Sequence, residues 1–233
     1  MCTINPTTLT DFTNFNSAKY NTLPEVVVSS KILQQRNDFP EFMEKIFSLA
    51  KAHSIELGVR LIHRHMQVDE GKVMIEKFQL HQNAPAFITS ADFPTDKVYP
   101  VSWLLEDDNK LTVFEYSTDI LVEHTLKKLI KDTDVFRKLC DLIREYYFEN
   151  LLASCITARD SLKQFDKENG FMEITNFESK ASIVKNKKDQ AVSEDSDDVV
   201  TLWAYPVNNN CLSSSYRKND DFGCDHTCHH KPK

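Results

Sequence analysis

Phe39-Pro-Glu-Phe-Met-Glu-Lys-Ile-Phe47, followed by Leu57-Gly-Val-Arg-Leu-Ile-His-Arg-His65, is the stretch that decides the fold, because both segments have a counterpart later in the chain. The first is matched by Val135-Phe-Arg-Lys-Leu-Cys-Asp-Leu-Ile143, and each reads as an amphipathic helix with apolar residues three and four positions apart. The second is matched by Leu151-Leu-Ala-Ser-Cys-Ile-Thr-Ala-Arg159. The order of a helix and then a strand therefore occurs twice.

Short apolar segments continue this parallel in both halves. The matched pairs are 73–78 with 171–177, 86–89 with 181–184, and Trp103 with Trp203. A helix followed by several strands cannot bury its apolar faces alone, and a second copy packed against the first would close the core. We therefore expect an α+β fold in which two duplicated halves pack as one body around a mostly antiparallel sheet. Chance resemblance between the halves is the alternative.

The sequence divides into four parts. Residues 1–30 are rich in Thr, Asn and Ser and predict a loosely ordered N-terminal arm, with a short strand at Val26-Val-Val28. Residues 31–118 and 119–207 are the two halves, and residues 208–233 form a tail rich in Cys and His. Within the second half, residues 186–198 are polar and acidic and predict a mobile loop.

Helices and strands follow from periodicity and breaker residues. A helix is expected from the cap Asp38, with Pro40 in its first turn, to His53. Helical spacing also covers 119–131 and 133–149. Turns are expected at 69–71 and 107–109. The predicted strands are 57–66, 72–81, 85–89, 99–106, 110–117, 151–158, 170–176, 180–185 and 199–206.

Composition excludes several functional classes. A formal net charge of −7 disfavours nucleic acid as a partner, since phosphate binding requires clustered Lys and Arg. Four Gly residues leave no glycine-rich phosphate-binding loop. No apolar run has the length of a membrane span, and the first residues lack the pattern of a secretory signal. We expect a cytoplasmic protein, with the nucleus as the alternative.

The first candidate site is His63-Arg-His65 at the end of the first predicted strand. In a hairpin centred on the 69–71 turn, Glu76 would lie opposite His63. Two imidazoles and a carboxylate could bind Zn²⁺ with an open position, or let one His act as a general base oriented by Glu76. The preferred interpretation is structural, with both His residues half-buried and hydrogen-bonded, because Thr157 and Arg159 occupy the matched positions of the second half.

The second candidate site is the tail. Thiolate and imidazole are the ligands that zinc prefers, and several within a few residues can surround one ion. The spacing matches no standard zinc finger, so an inert tail and a tail with modified or redox-active thiols stay open as alternatives. The candidate ligands are Cys211, Cys224, His226, Cys228, His229 and His230.

The segments Leu57-Gly-Val-Arg-Leu-Ile-His-Arg-His65 and Val68-Asp-Glu-Gly-Lys-Val73 carry a resemblance. Together with the Cys- and His-rich tail, they resemble a group of fungal proteins that have a Leu-Leu-His-Lys/Arg-His segment and no established activity. The resemblance implies a fungal origin and a shared fold but no reaction. It matches only His63 and His65 as a pair, and Met66 stands where that group has an aromatic residue.

The sequence contains no complete catalytic set. Cys140 and Cys155 fall on apolar positions and predict core packing, as do Trp103 and Trp203. We therefore expect a binding or scaffold protein with an unidentified protein partner, and the oligomeric state stays open. The alternatives are a metal-dependent enzyme that uses His63, His65 and Glu76, and a zinc- or redox-responsive regulator that uses the tail.

Overall fold

The computed structural model describes residues 14–78, 86–92, 97–106, 110–158, 171–176, 181–186, 199–204 and 224–229. The helices are α1 Ser17–Asn21, α2 Val26–Gln34, α3 Phe39–His53, α4 Ile120–Lys131 and α5 Thr133–Glu145. The strands are β1 Leu57–Leu61, β2 Lys72–Phe78, β3 Ala86–Asp92, β4 Tyr99–Leu105, β5 Leu111–Ser117, β6 Leu152–Ile156, β7 Phe171–Asn176, β8 Ala181–Asn186, β9 Val199–Ala204 and β10 Cys224–His229.

The strands of the described residues close into a barrel. Their order is β1-β6-β4-β5-β2-β3-β8-β7-β10-β9, and β9 pairs again with β1. Strand pairing is antiparallel except between β2 and β5 and between β7 and β10. The predicted α+β class with a mostly antiparallel sheet is therefore confirmed.

The strand order is unchanged when the two halves are exchanged. Replacing β1 to β5 by β6 to β10, and the reverse, reproduces the same circuit of neighbours. The parallel pair β2–β5 then corresponds to the parallel pair β7–β10, and the pairs β1–β6 and β3–β8 each join the two halves. This correspondence is one of topology, and the duplication of an ancestral sequence stays a prediction.

The helices follow the same exchange. Helix α2 packs on β9 and β1, while α4 packs on the corresponding strands β4 and β6. Helices α3 and α5 pack on each other and lie against β1 and β6, respectively. Helix α2 therefore belongs to the first half in the way that α4 belongs to the second.

Helices α3 and α5 also end alike. Ser54 (φ 53°) and Tyr147 (φ 55°) each adopt the left-handed conformation after the helix. The next residue turns back: the Ile55 N–H donates to a carbonyl in the last turn of α3 at 3.1 Å, and Phe148 does the same at α5 at 2.8 Å. This geometry buries Ile55 and Phe148 and directs the chain into the following strand.

The sheet has two buried faces with different neighbours. Alternation along the strands places Val59, Trp103 and Val113 in the large apolar core that includes the helices. Phe136 of α5 meets the Trp103 ring edge-on at 5.2 Å. The opposite face carries a smaller apolar cluster that contains Met74, Leu104, Phe114 and Ala153.

Most predicted helices and strands are found, with several corrections at the N-terminus and between strands. The expected strand at Val26-Val-Val28 is wrong, because these residues begin α2 and Val26 is buried. Strand β1 ends at Leu61 rather than at 66, and its neighbours are β6 and β9, so the expected hairpin with β2 is also wrong. The hairpin around 107–109 is confirmed by the pairing of β4 with β5. Cys140 and Cys155 are buried as predicted, as is Trp103, while Trp203 is half-buried.

Two predicted segments lie wholly or partly outside the described residues. Residues 1–13 of the expected arm are outside, whereas residues 14–30 contain α1 and the start of α2. Residues 187–198 of the expected acidic loop are outside as well, and Asn186 is the last residue of β8. Within the expected tail, β10 pairs with both β7 and β9 and is therefore part of the barrel.

Candidate functional site

A buried ion pair crosses the face opposite the helices. Arg60 of β1 donates through a guanidinium nitrogen to Oε2 of Glu115 on β5, and the side chains are 2% and 0% exposed. Strands β6 and β4 lie between them, so the two strands are about 14 Å apart along the sheet. Side chains can converge over that separation only on the concave side. This face is therefore the interior of the barrel.

A β-bulge directs Glu115 into the interior. Trp103 of β4 pairs with Val113, and the preceding Ser102 pairs with Glu115, so Phe114 is an extra residue without a register partner. In regular alternation Phe114 and Glu115 would lie on opposite faces. The bulge instead allows both onto the interior face, where the Arg60 guanidinium lies 5.3 Å from the Phe114 ring centroid.

Two histidines complete the cluster from the segment that follows β1. The His63 and His65 ring centroids are 4.3 Å apart, and both side chains are fully buried. His63 Nδ1 lies 2.8 Å from the Leu61 carbonyl oxygen, which can only accept, so Nδ1 carries the proton. The Ser29 hydroxyl of α2 donates to the Ile62 carbonyl at 2.6 Å and fixes this segment. We call Arg60, His63, His65 and Glu115 the Arg60 cluster.

The two contacts of His65 Nε2 decide its tautomer. This atom lies 3.1 Å from Glu115 Oε1 and 3.4 Å from an Arg60 nitrogen. The arginine can only donate and the carboxylate can only accept, so Nε2 cannot hydrogen-bond both. An unprotonated Nε2 would face the carboxylate lone pairs at the shorter distance, which is repulsive. We therefore assign the proton to Nε2, where it faces Glu115 Oε1, while Arg60 donates a hydrogen bond to Oε2 of the same carboxylate.

Two buried side-chain donors of this face make no hydrogen bond within the described residues. They are Arg60 Nε and Ser102 Oγ, and both residues are 1% exposed or less. A buried donor without a partner costs about 1–3 kcal/mol relative to its hydration in the unfolded chain.

Tyr116 follows Glu115 in β5 and belongs to the core on the helix side of the sheet. Burial raises the pKa of its phenol, so that group stays protonated at neutral pH.

The predicted carboxylate Glu76 occupies a different part of the barrel from the one expected. It lies on β2, in register with Ile88 of β3 and Ser117 of β5, and it is buried. The register that placed Glu76 across from His63 is wrong, because β1 and β2 are not neighbours. The carboxylate next to His65 is that of Glu115, and His63 and His65 are brought together as expected.

Arg60 and Glu115 are the residues that sequence reasoning missed. Each is a charged residue inside an otherwise apolar strand, Leu57-Gly-Val-Arg-Leu61 and Leu111-Thr-Val-Phe-Glu-Tyr-Ser117. A charged residue within such a strand was the feature of the sequence that could have revealed the ion pair, since a charge in a fully buried strand requires a partner. Alternation along the predicted strand 57–66 would place His63 and His65 on the face opposite Arg60. Because β1 ends at Leu61, His65 reaches the Arg60 side instead.

Within the described residues, no group of three or more His, Cys, Asp and Glu side chains is arranged to hold a metal ion. A divalent cation at His65 Nε2 would also stand beside the Arg60 guanidinium, and like charges at that distance repel strongly in a buried environment. The geometry therefore does not favour the predicted metal site of His63, His65 and Glu76.

The candidate zinc ligands of the tail divide between β10 and residues outside the described part of the chain. Cys211 and His230 lie outside it. Cys224, His226, Cys228 and His229 are backbone positions of β10. An extended strand separates the Cα atoms of Cys224 and Cys228 by about 13 Å, so a site that uses both requires a departure from this strand. Zinc binding by the tail stays a prediction.

The second half has no equivalent of Arg60. Arg60 pairs with Leu202 on β9, and Cys155 pairs with Ser102 on β4, the strand that corresponds to β9. Leu202 and Ser102 each precede the tryptophan of their strand, so Arg60 and Cys155 occupy corresponding positions. Both are fully buried. The same place in the barrel thus holds a charged side chain in one half and a small neutral one in the other.

None of the helices in the described residues has the combination of length and apolarity needed to cross a lipid bilayer. Comparisons of this chain with protein-family models, with curated proteins and with solved structures find no match.

Proposed function

We propose that this chain is a binding protein that holds a small polar ligand inside the barrel, against the Arg60 cluster. The observation that carries this proposal is the pair of buried polar atoms, Arg60 Nε and Ser102 Oγ, that make no hydrogen bond within the described residues. A ligand that offers an acceptor to Arg60 Nε would remove the cost of leaving that donor unpaired. The ligand class is a small molecule with a carboxylate, phosphate or amide oxygen.

The barrel architecture supports this function. Eight strands give an interior just wide enough to be filled by side chains or to hold one small ligand, and the diameter grows with strand number. The described residues contribute ten strands to this ring. Binding sites in barrels are typically apolar with a few fixed polar groups. Phe114 and Leu104 provide apolar surface of this kind beside Arg60.

The difference between the halves supports a functional role for the cluster over a purely structural one. Cys155 stands in the second half where Arg60 stands in the first, and the same strand order forms around both. The topology therefore does not require buried charge at this position. Burying an ion pair carries a desolvation penalty that an apolar replacement avoids. Ligand recognition gives a reason to retain it.

A binding role fits the site better than the metal-dependent enzyme. The Glu115 carboxylate is already neutralised by Arg60, and that guanidinium opposes a second cation. As to surroundings, we place the protein in the cytoplasm or nucleus, without nucleic acid as a partner, on the grounds of charge and sequence. We also propose, from the sequence alone, a protein partner, zinc binding by the tail and a fungal origin.

The test combines native mass spectrometry with a thermal-shift panel of small carboxylates, phosphates and amides. The site variant is Arg60→Met with Glu115→Leu, which removes both charges together, and Arg137→Met, at a half-buried arginine of α5 outside the barrel interior, is the matched control. We expect a bound mass or a raised melting temperature in the wild type and the control, and neither in the site variant. Equal behaviour of all three proteins, or no ligand in any of them, would contradict the proposal.

Elemental analysis of the untagged protein separates the metal alternatives. One equivalent of zinc that is lost on Cys224→Ser with Cys228→Ser would assign the metal to the tail. Zinc that is lost on His63→Ala with His65→Ala would favour the enzyme over the binding protein.

A further inference from the structure

One end of the barrel is covered by the N-terminal segment 15–23, which we call the plug. It contains α1, and its Tyr20 is 2% exposed and belongs to the interior apolar cluster. The Tyr20 ring lies 5.7 Å from Phe114 and 5.5 Å from Phe15. Because Phe114 also lies beneath Arg60, the plug reaches directly to the Arg60 cluster.

A few side-chain hydrogen bonds hold the plug on the segment that carries the histidines. The Asn21 carboxamide donates to the Val68 carbonyl and accepts from the Val68 N–H, both at 2.8 Å. The backbone N–H of His65 donates to the Tyr20 hydroxyl at 3.2 Å, and the Arg64 side chain donates to the Asn21 carbonyl at 2.8 Å. A helix of five residues has no stability of its own, so these contacts, the Tyr20 ring, the Lys19–Glu106 ion pair and the bridge of Phe15 to Val113 of β5 keep the plug in place.

We infer that the plug is a gate whose local opening admits the ligand to the Arg60 cluster, an inference that rests on the proposed function. The cluster is fully buried, so a ligand can reach it only after part of the covering structure moves. A segment near a chain end that has only one short helix of its own opens at a lower free energy than the whole fold. Opening of the plug breaks the bond between Tyr20 and His65 and uncovers the ring of Phe114.

The protein contains a natural reporter of this opening and an internal control. Cys155 of β6 pairs with Gly58 and Ser102 on the interior face, whereas Cys140 lies on α5 in the core between the helices and the outer face. Both thiols are buried, and neither forms a disulfide bond. Opening of the plug exposes Cys155 and leaves Cys140 covered.

The experiment measures the rate of N-ethylmaleimide labelling at each cysteine by peptide mass spectrometry, on the full chain under native conditions. Asn21→Ala removes both bonds to Val68, and Thr22→Ala, at the neighbouring exposed residue, is the matched control. We expect Asn21→Ala to raise the Cys155 rate by roughly tenfold or more, because labelling follows the population of the open state. The Cys140 rate and both rates in Thr22→Ala should stay within about twofold of the wild type.

Two results would overturn the gate. Labelling of Cys155 that does not change in Asn21→Ala shows that the plug does not control access, and parallel acceleration at Cys140 shows that the whole fold has loosened instead. Should Asn21→Ala fail to fold, Tyr20→Phe, which removes only the hydroxyl bonded to His65, provides the same comparison. The labelling needs no ligand, so a negative labelling result does not decide the ligand-binding test. A negative ligand-binding test likewise does not decide whether the plug opens.

Discussion

The Arg60–Glu115 pair offers a sharp test of the interior geometry, because removing one partner and removing both should have opposite consequences. Either single change leaves a charge in a fully buried site. Removing one partner of a buried ion pair lowers the free energy of unfolding by about 3–5 kcal/mol, whereas replacing the whole pair by apolar residues of similar size often leaves it unchanged. We therefore expect Arg60→Met with Glu115→Leu to lie within about 1 kcal/mol of the wild-type stability.

The two single variants should not be equal. In Arg60→Met the Glu115 carboxylate keeps His65 Nε2 as a polar neighbour 3.1 Å from Oε1, which reduces the loss of stability. In Glu115→Leu the guanidinium loses its carboxylate while its Nε already makes no hydrogen bond in the described residues. Glu115→Leu should therefore be the more destabilising change of the two.

Equilibrium unfolding in urea, followed by the fluorescence of Trp103 and Trp203, measures these differences. The coupling free energy from the double-mutant cycle should be about 3 kcal/mol or more. If a single variant is already unfolded in buffer, recovery of the folded state in the double variant gives the same answer. A double variant that loses the sum of the two single effects would refute a direct buried pair, and with it the assignment of this face to the interior.

Three further predictions concern other parts of the molecule. Tyr147→Gly should stabilise the protein by roughly 0.5–1 kcal/mol in a thermal melt, because Gly adopts the left-handed conformation without the penalty of a Cβ, and Tyr147→Ala should give no gain. The hydrogen bonds from Lys138 and Arg137 lower the pKa of Asp134 from 3.8 to about 2, so its contribution to stability is complete above pH 3.8 and is lost as the pH falls towards 2. The difference in urea midpoint between wild type and Asp134→Asn should accordingly shrink over that range, and a constant difference would contradict it. A chain that ends at Asn210 lacks β10 and should unfold at lower urea than the full chain, whereas Cys224→Ser with Cys228→Ser should not; equal midpoints for truncated and full chains would remove β10 from the barrel.

The local sequence pattern was sufficient to predict where helices and strands lie. It did not predict which strands are neighbours in the sheet. The apolar spacing of Phe39–His53 and the alternation of Leu111–Ser117 are properties of each segment alone, and the observed bounds fall close to those expected. The neighbours of a strand depend on contacts between distant residues. A short turn at 69–71 suggested that β1 and β2 pair, but the ring places β6 and β9 beside β1.

The errors at single residues have specific physical causes. Three successive valines favour a strand, but burial of Val26 and Leu33 against the sheet outweighs that preference and α2 forms. The bulge at Phe114 changes the face of Glu115, and periodicity alone gives no sign of such an insertion. The candidate site was therefore half predictable: the histidine pair follows from the sequence, while the ion pair that organises it depends on barrel closure.

Closure of the ring by β10 has a consequence for biosynthesis. The N-terminus of a chain leaves the ribosome first. Strands β7 and β9 therefore lack their shared neighbour β10 until residue 229 has left the exit tunnel. Until then each of the two strands presents one unpaired backbone edge, which is a template for pairing with another chain. Nascent chains that stall before β10 has emerged should therefore be the species most exposed to aggregation and most dependent on chaperones.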